Sequence, residues 1–455
     1  MGAPVQILEV SDLLDRGAAG AAGGSRQGDV IGHGLSLPKP GEDGQGYNVT
    51  LSGWALTADG PPAAIRVAAL PSNGQPSAYR GVLADAPVNL QRPRIGERFA
   101  HLPRSDECGF RASLSLVGVA REFELSVSAV LADGGEIPFA RVRGRREPVA
   151  SGSPSAFQPI LLRAPGRAGS HWIICLLGQH PEIVTYQPFR FEPRISAYWL
   201  EVFRWLAEPR SYSRAIRPEL SEGNVDWWFR QGRLPAINLD DEPQLERWLA
   251  MDSVEELARF CKDRIDGFYR HAAIEQGKQH VTCFAERPMD ARVTAILHEL
   301  YGRVFEVFLI RDPRDVLCSR FASTATPGRA RFRDAVAGRE REYVRSVLAD
   351  EMRAFVANWN MCRDRAVLVK YEELIERPQA ALGPVLQYLD VDSRPETARE
   401  MVDAAATVRP DLQREHRTSA DPSTSIARWR RELSPQLASA CEESFGDVLQ
   451  ELGYA

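Results

Sequence analysis

The seven cysteines, Cys108, Cys175, Cys261, Cys283, Cys318, Cys362 and Cys441, contain no C-x-x-C pair. An odd, scattered set excludes a disulfide framework and a zinc site built on paired thiols, so reduced, buried thiols acting as small hydrophobes are expected. Long apolar runs are also missing. No stretch reaches the roughly 18 apolar residues of a membrane span, and the first residues lack the basic start and apolar core of a secretory signal. A soluble, cytoplasmic protein without a membrane span is the expectation. Neither sign of charge dominates: 56 Lys and Arg face 61 Asp and Glu, for a net charge of −5. That balance gives no whole-surface attraction to nucleic acid or an anionic bilayer, and any anion must be bound locally.

What is present is enough chain for two or three domains, at 455 residues. Residues 1–45, rich in Gly, Ala and Ser around "RGAAGAAGGSRQG", read as a flexible N-terminal arm with a short amphipathic piece at Ile7 to Leu14. Residues 46–145 change to short alternating runs such as "NVTLSGWAL" and "FELSVSAVLADGGEIPFARV", broken by turn signals. About six or seven strands without a helix predict an all-β antiparallel sandwich, an accessory domain with no catalytic constellation of its own. Residues 146–158, within "RGRREPVASGSPSAFQP", read as a linker. Beyond it the pattern is α/β: buried strands of the parallel type are predicted at Pro159 to Leu162, His280 to Phe284, Val304 to Ile310 and Ala366 to Val369, with helices between. A helical insert at about 192–271 carries Trp199, Trp205, Trp227, Trp228 and Trp248, as core or as a cap facing substrate.

Two stretches suit anions. In "LLRAPGRAGSHWIICLLGQHP", from Leu161, a strand meets a glycine-bearing turn and then a helix. Amides of Ala168, Gly169 and Ser170 would converge on an anion, Ser170 adds a hydroxyl, and Arg167 adds a permanent charge. The ATP-type loop is not matched, because no lysine follows Gly169. In "VFEVFLIRDPRDVLCSRF", from Val304, a strand ends at Arg311, Asp312 caps a helix, Pro313 opens it, and Asp315 suits its first turn. Ser319 lies about two turns into that helix and within reach of the same phosphate as Arg311. Arg314 and Arg320 are further cations there, open either to the anion or to the surface.

Together these stretches resemble the sulfotransferases that use 3′-phosphoadenosine 5′-phosphosulfate (PAPS). "GRAGSHW" is similar to the family's 5′-phosphosulfate loop, with Ala168 and His171 in place of the usual hydroxyl residues, and "LIRDPRDVLCSRF" to its 3′-phosphate motif, with Arg311 and Ser319 in the arginine and serine positions. "LVKYEELIERP" and "RTSADPSTSIARWRREL" extend the resemblance over residues 159–455, although the basic-Gly-x-x-Gly form of the closing loop is missing. The resemblance implies a P-loop-like parallel sheet flanked by helices, preceded by the sandwich. It further implies an enzyme moving the sulfuryl group of PAPS to a hydroxyl and releasing 3′-phosphoadenosine 5′-phosphate (PAP). The implied nucleotide site comprises Arg167, Ala168, Gly169, Ser170, His171, Trp172, Arg311, Ser319, Arg428, Trp429 and Arg430.

In-line sulfuryl transfer leaves the protein mainly to position and neutralise, with Arg167 stabilising the leaving phosphate and no metal required. For the base, the resemblance points first to Glu286 in "VTCFAERP", with Arg287 as a transition-state cation. Gln187 stands where the family often has an acid, leaving Glu192 as a displaced alternative and His171 as a third. The acceptor is expected to be a carbohydrate, a glycosylated metabolite or another hydroxyl compound. Two alternatives stay open: a non-catalytic PAP- or glycan-binding protein with a degenerate transferase domain, and another P-loop-like nucleotide enzyme.

Overall fold

The computed structural model describes residues 5–14, 29–42, 46–71, 75, 77–150, 152, 154–188, 193–208, 251–288, 290–323, 332–407 and 421–455. The chain divides into two compact units, each made of several segments. One comprises Met1–Ser153, Ala197–Asp263 and Asp290–Leu300; the other comprises Pro154–Ser196, Arg264–Met289 and Tyr301–Ala455.

The first unit is built on strands β1 (Val5–Asp12), β2 (Val30–Leu37), β3 (Asn48–Thr57), β4 (Ala64–Ala69), β5 (Gly81–Ala86), β6 (Gly109–Ser115), β7 (Glu122–Val130) and β8 (Glu136–Arg146). They form an antiparallel sheet in the order β1-β8-β7-β4-β5 and a second in the order β2-β3-β6. Alternation turns one face of each inward, so Val49 and Leu51 of β3, Phe110 of β6, Ile65 of β4 and Val127 of β7 share one core. The expected arm is corrected at its described residues. β1 pairs with β8 and buries Val5 and Ile7, while β2 pairs with β3. Glycine composition disguised β2 as a mobile stretch. Gly32 and Gly34 lie against the Trp54 ring, where a Cβ would come within 3.0 and 2.8 Å of ring atoms. The expected absence of helix is also corrected, by α1 (Pro93–Arg98), which is too short for a helical apolar period to stand out.

Helix segments complete this unit. They come from α3 (Ile195–Ala207), α4 (Ser253–Glu275) and α5 (Ala291–Tyr301), numbered after a helix of the second unit, α2 (Ser170–Leu177). Buried Glu299 of α5 accepts from Arg146 Nη1 at 2.6 Å, Arg146 Nη2 at 2.8 Å, Gly118 N at 2.8 Å and Val149 N at 2.8 Å. Tyr47 donates to Glu255 of α4 at 2.7 Å.

The second unit holds a parallel sheet of β9 (Gln158–Arg163), β10 (Ile183–Val184), β11 (Cys283–Glu286), β12 (Phe305–Ile310) and β13 (Ala366–Lys370), in the order β10-β11-β9-β12-β13. Further helices are α6 (Pro313–Phe321), α7 (Ala349–Cys362), α8 (Tyr371–Glu376), α9 (Pro378–Tyr388), α10 (Pro395–Thr407) and α11 (Pro435–Glu451). Phe305, Val307 and Leu309 of β12 join one core with α2, α9 and α10, whereas Phe308 and Ile310 join another with α7 and α11. Burial on both faces explains the largely apolar make-up of these strands, in which buried Glu306 of β12 is paired with Arg163 at 2.6 Å. β10, with two residues, is too short to show in the sequence. Among the described residues no helix is long and apolar enough to cross a membrane. All seven cysteines are buried and free of disulfides.

Candidate active site

The turn from β9 into α2 requires unusual backbone. Arg167 and Gly169 take φ of 75° and 97°, and a Cβ on Gly169 would strike the ring of Tyr371, so glycine is needed there on both counts. Gly169 occupies the cap position without a side-chain hydrogen bond, and no carboxylate stands in the first turn. An uncapped, unneutralised helix start of this kind favours an exogenous anion. Ala168 is fully buried against the fold.

The turn from β12 into α6 follows the expected pattern. Asp312 accepts from Arg314 N at 2.9 Å, Pro313 opens the helix, and Asp315 lies in the first turn. Arg311 is 4% exposed. It donates through Nη2 to the Ser425 carbonyl and places its guanidinium carbon 4.6 Å from the centre of the Tyr371 ring. Its buried Nε has no hydrogen-bond partner. The first turn reaches the helix that follows the second: Arg167 Nε donates to Ser319 Oγ, about two turns into α6, at 3.3 Å.

Tyr371 was missed as a site residue, although "LVKYEEL" marks it at a strand end. Its ring abuts Gly169 and underlies Arg311, and its hydroxyl lies 3.1 Å from Ser425 Oγ, so one side chain touches both turns and the segment near the C-terminus. Trp172 is partly buried against the core and has a buried Nε1 without a partner.

The C-terminal candidates are held by protein groups. Arg428 pairs with Glu432 at 2.8 Å. The guanidiniums of Arg314 and Arg430 lie 3.9 and 5.3 Å from the centre of the Trp429 ring, and the backbone N–H of Trp429 donates to Asp315 Oδ1 at 2.9 Å. Burial pushes the Asp315 carboxyl up to about 6. Arg314 and Arg320, both open as anion ligands on sequence, have carboxylate partners: Asp312 at 2.9 Å and Glu351 at 2.7 Å.

Among the expected bases, Glu286 is 1% exposed. It accepts from Ser196 N at 3.0 Å, from the Ser196 hydroxyl and from the Tyr269 hydroxyl, which anchors the N-terminus of α3. Burial raises its carboxyl above the ordinary range, against the pull of those three donors. Arg287 follows it, half-buried. His171 lies in the first turn of α2, with Nδ1 3.5 Å from Gln187 Nε2 and Nε2 3.6 Å from Cys175 Sγ. Glu192, Trp227, Trp228 and Trp248 lie outside the described residues. Trp199 packs edge-on to Phe260, and Trp205 is exposed.

A family model described as "Sulfotransferase family" matches residues 159–395, more than half of the chain. The chain belongs to the sulfotransferase family. Membership supports a transferase that moves a sulfuryl group. Among solved structures, this sulfotransferase is similar to sulfotransferase STF9 from Mycobacterium avium, at 14% identity and a TM-score of 0.32, over 66% of this chain and 77% of that one. No curated protein sequence matches it.

Proposed function

We propose that this sulfotransferase uses PAPS as donor and transfers its sulfuryl group, by in-line displacement, to a hydroxyl of a carbohydrate or glycosylated metabolite. The observation that carries the proposal is the 3.3 Å contact of Arg167 with Ser319, which joins the turn suited to a 5′-phosphosulfate to the helix whose Ser319, with Arg311 just before it, suits a 3′-phosphate. Two features fit such a donor: the start of α2 has no side-chain cap, and no protein group among the described residues accepts from the buried Nε of Arg311.

In this scheme Arg311 and Ser319 hold the 3′-phosphate and so discriminate against ATP-like nucleotides. Arg167, Ser170 and the amides of the turn face the 5′ end. The acceptor oxygen attacks sulfur, and the bridging S–O bond breaks with its electron pair left on the 5′-phosphate. Arg167 stabilises that charge as it develops. The acceptor proton passes to His171, since the contacts of Glu286 fit an anchor for α3. Arg287 serves as a nearby cation. The segment from Ser425 to Arg430 closes the nucleotide side through its carbonyl contact with Arg311.

Transfer from sulfur-labelled PAPS to a panel of glycans and glycosylated metabolites tests the proposal. Wild type should label at least one acceptor, and Arg167→Ala should lower turnover about a hundredfold while PAP affinity stays within about tenfold. Unchanged turnover in Arg167→Ala would remove that residue from the chemistry. PAP binding without labelling of any acceptor would favour a binding protein.

A further inference from the structure

Consecutive residues of α6 grip the β9–α2 turn. Ser319 receives Arg167, and the next residue, Arg320, donates through Nη2 to the Gly166 carbonyl at 3.3 Å. The same Nη2 lies 2.7 Å from each carboxylate oxygen of Glu351 on α7, and Glu351 Oε1 accepts from Gly166 N at 3.3 Å. Arg320 is anchored from its other side, where Nη1 donates to the Tyr343 hydroxyl. A single ion pair therefore holds both main-chain groups of Gly166. The Gly166 carbonyl belongs to the peptide that leads into Arg167, whose φ of 75° is a conformation that L-residues avoid unless their surroundings impose it.

We propose that the Arg320–Glu351 pair is a positioning clamp: by fixing the Gly166 main chain it sets the turn, and through the turn it aims Arg167 and the first amides of α2 at the 5′ end of the donor. The pair itself does not bind the anion, because the Arg320 charge is matched by Glu351. This inference rests on the PAPS reading above, and it separates the two ends of the nucleotide. Arg311 and Ser319 serve the 3′-phosphate, and the clamp serves the 5′ end alone. A pair that merely stapled α6 to α7 would have no such preference.

Calorimetry with PAP and with adenosine 3′-monophosphate, which lacks the 5′-phosphate, discriminates between these roles. Glu351→Gln keeps the shape of the side chain but sets its amide against the guanidinium. It should weaken PAP about tenfold, the scale of one charge-assisted contact, and leave adenosine 3′-monophosphate within about twofold. Turnover with PAPS should fall further, about a hundredfold, because misaimed groups cost most in the transition state. Arg320→Lys retains the charge without the planar fork and should show the same one-ended loss at smaller size. Arg311→Ala should weaken both ligands. If both clamp variants weaken the two nucleotides equally, or neither, the clamp is refuted while the donor reading survives. If wild type fails to bind PAP, the donor reading falls and the clamp falls with it.

Discussion

Replacing Glu286 by Gln distinguishes a helix anchor from a general base. The carboxylate receives Ser196 N and the Tyr269 hydroxyl on Oε1 and the Ser196 hydroxyl on Oε2. A glutamine placed with its oxygen at the Oε1 position keeps the first two bonds. Its amide then stands at the Oε2 position and donates to Ser196 Oγ, so the Ser196 hydroxyl proton loses its buried acceptor. The expected cost in stability at neutral pH is thus about 1–3 kcal/mol. The folded state raises the carboxyl pKa by burial, so its contribution to stability is fully present below the unfolded value, about 4.3, and is lost as pH rises through the folded value. Glu286→Gln should remove that loss and gain on wild type toward alkaline pH. Turnover should stay within about threefold, whereas loss of a general base costs about a hundredfold or more. Glu286→Ala instead orphans Ser196 N and the Tyr269 hydroxyl and leaves a cavity, for a cost of about 3 kcal/mol. Denaturant midpoints and turnover on the same preparations read both effects. A Gln variant as stable as wild type but a hundredfold slower would refute the anchor and make Glu286 the base.

Glu299→Ala strips a buried carboxylate from Arg146 and from two backbone N–H groups, and urea denaturation should register a loss of about 3–5 kcal/mol. Burial pushes the Glu299 carboxyl up, but the Arg146 charge and hydrogen bonds, with those of Val149 and Gly118, outweigh it and hold the carboxyl below its usual range. The resulting stability is present above about pH 4.3 and lost as pH falls through the folded value, a slope that should vanish in the variant. Asp315→Asn keeps an acceptor for Trp429 N and removes a carboxyl raised to about 6 by burial. The wild-type contribution is present below about 3.9 and lost as pH rises through about 6, so melting temperatures should move in favour of the variant across that window. Parallel pH profiles for wild type and variant would contradict the assignment for either residue.

The features that sequence exposed are those with local causes. Buried parallel strands are mostly apolar runs, and Asp312, Pro313 and Asp315 announce the start of α6 within a few residues. What it concealed depends on distant partners. Ser196 lies 90 positions from Glu286, and only the fold shows that the two bond. Gly169 reads as a turn glycine, but its need to admit the Tyr371 ring comes from two hundred residues further along the chain. Arg320 and Glu351 look like surface charges until α6 and α7 are set against Gly166. Two strands were hidden for different reasons: β2 behind the glycines that make room for Trp54, and β10 because it is too short to have a period.

The central claim is that one nucleotide bridges the Arg167 turn and the Arg311 strand end. Isothermal calorimetry of PAP against wild type and Arg311→Ala tests it most directly. Clear binding to wild type and a loss of about 2 kcal/mol or more in the variant are predicted, as for a charge-assisted contact to a desolvated phosphate. Equal affinity in the two proteins, or preference of wild type for ATP over PAP, would contradict it.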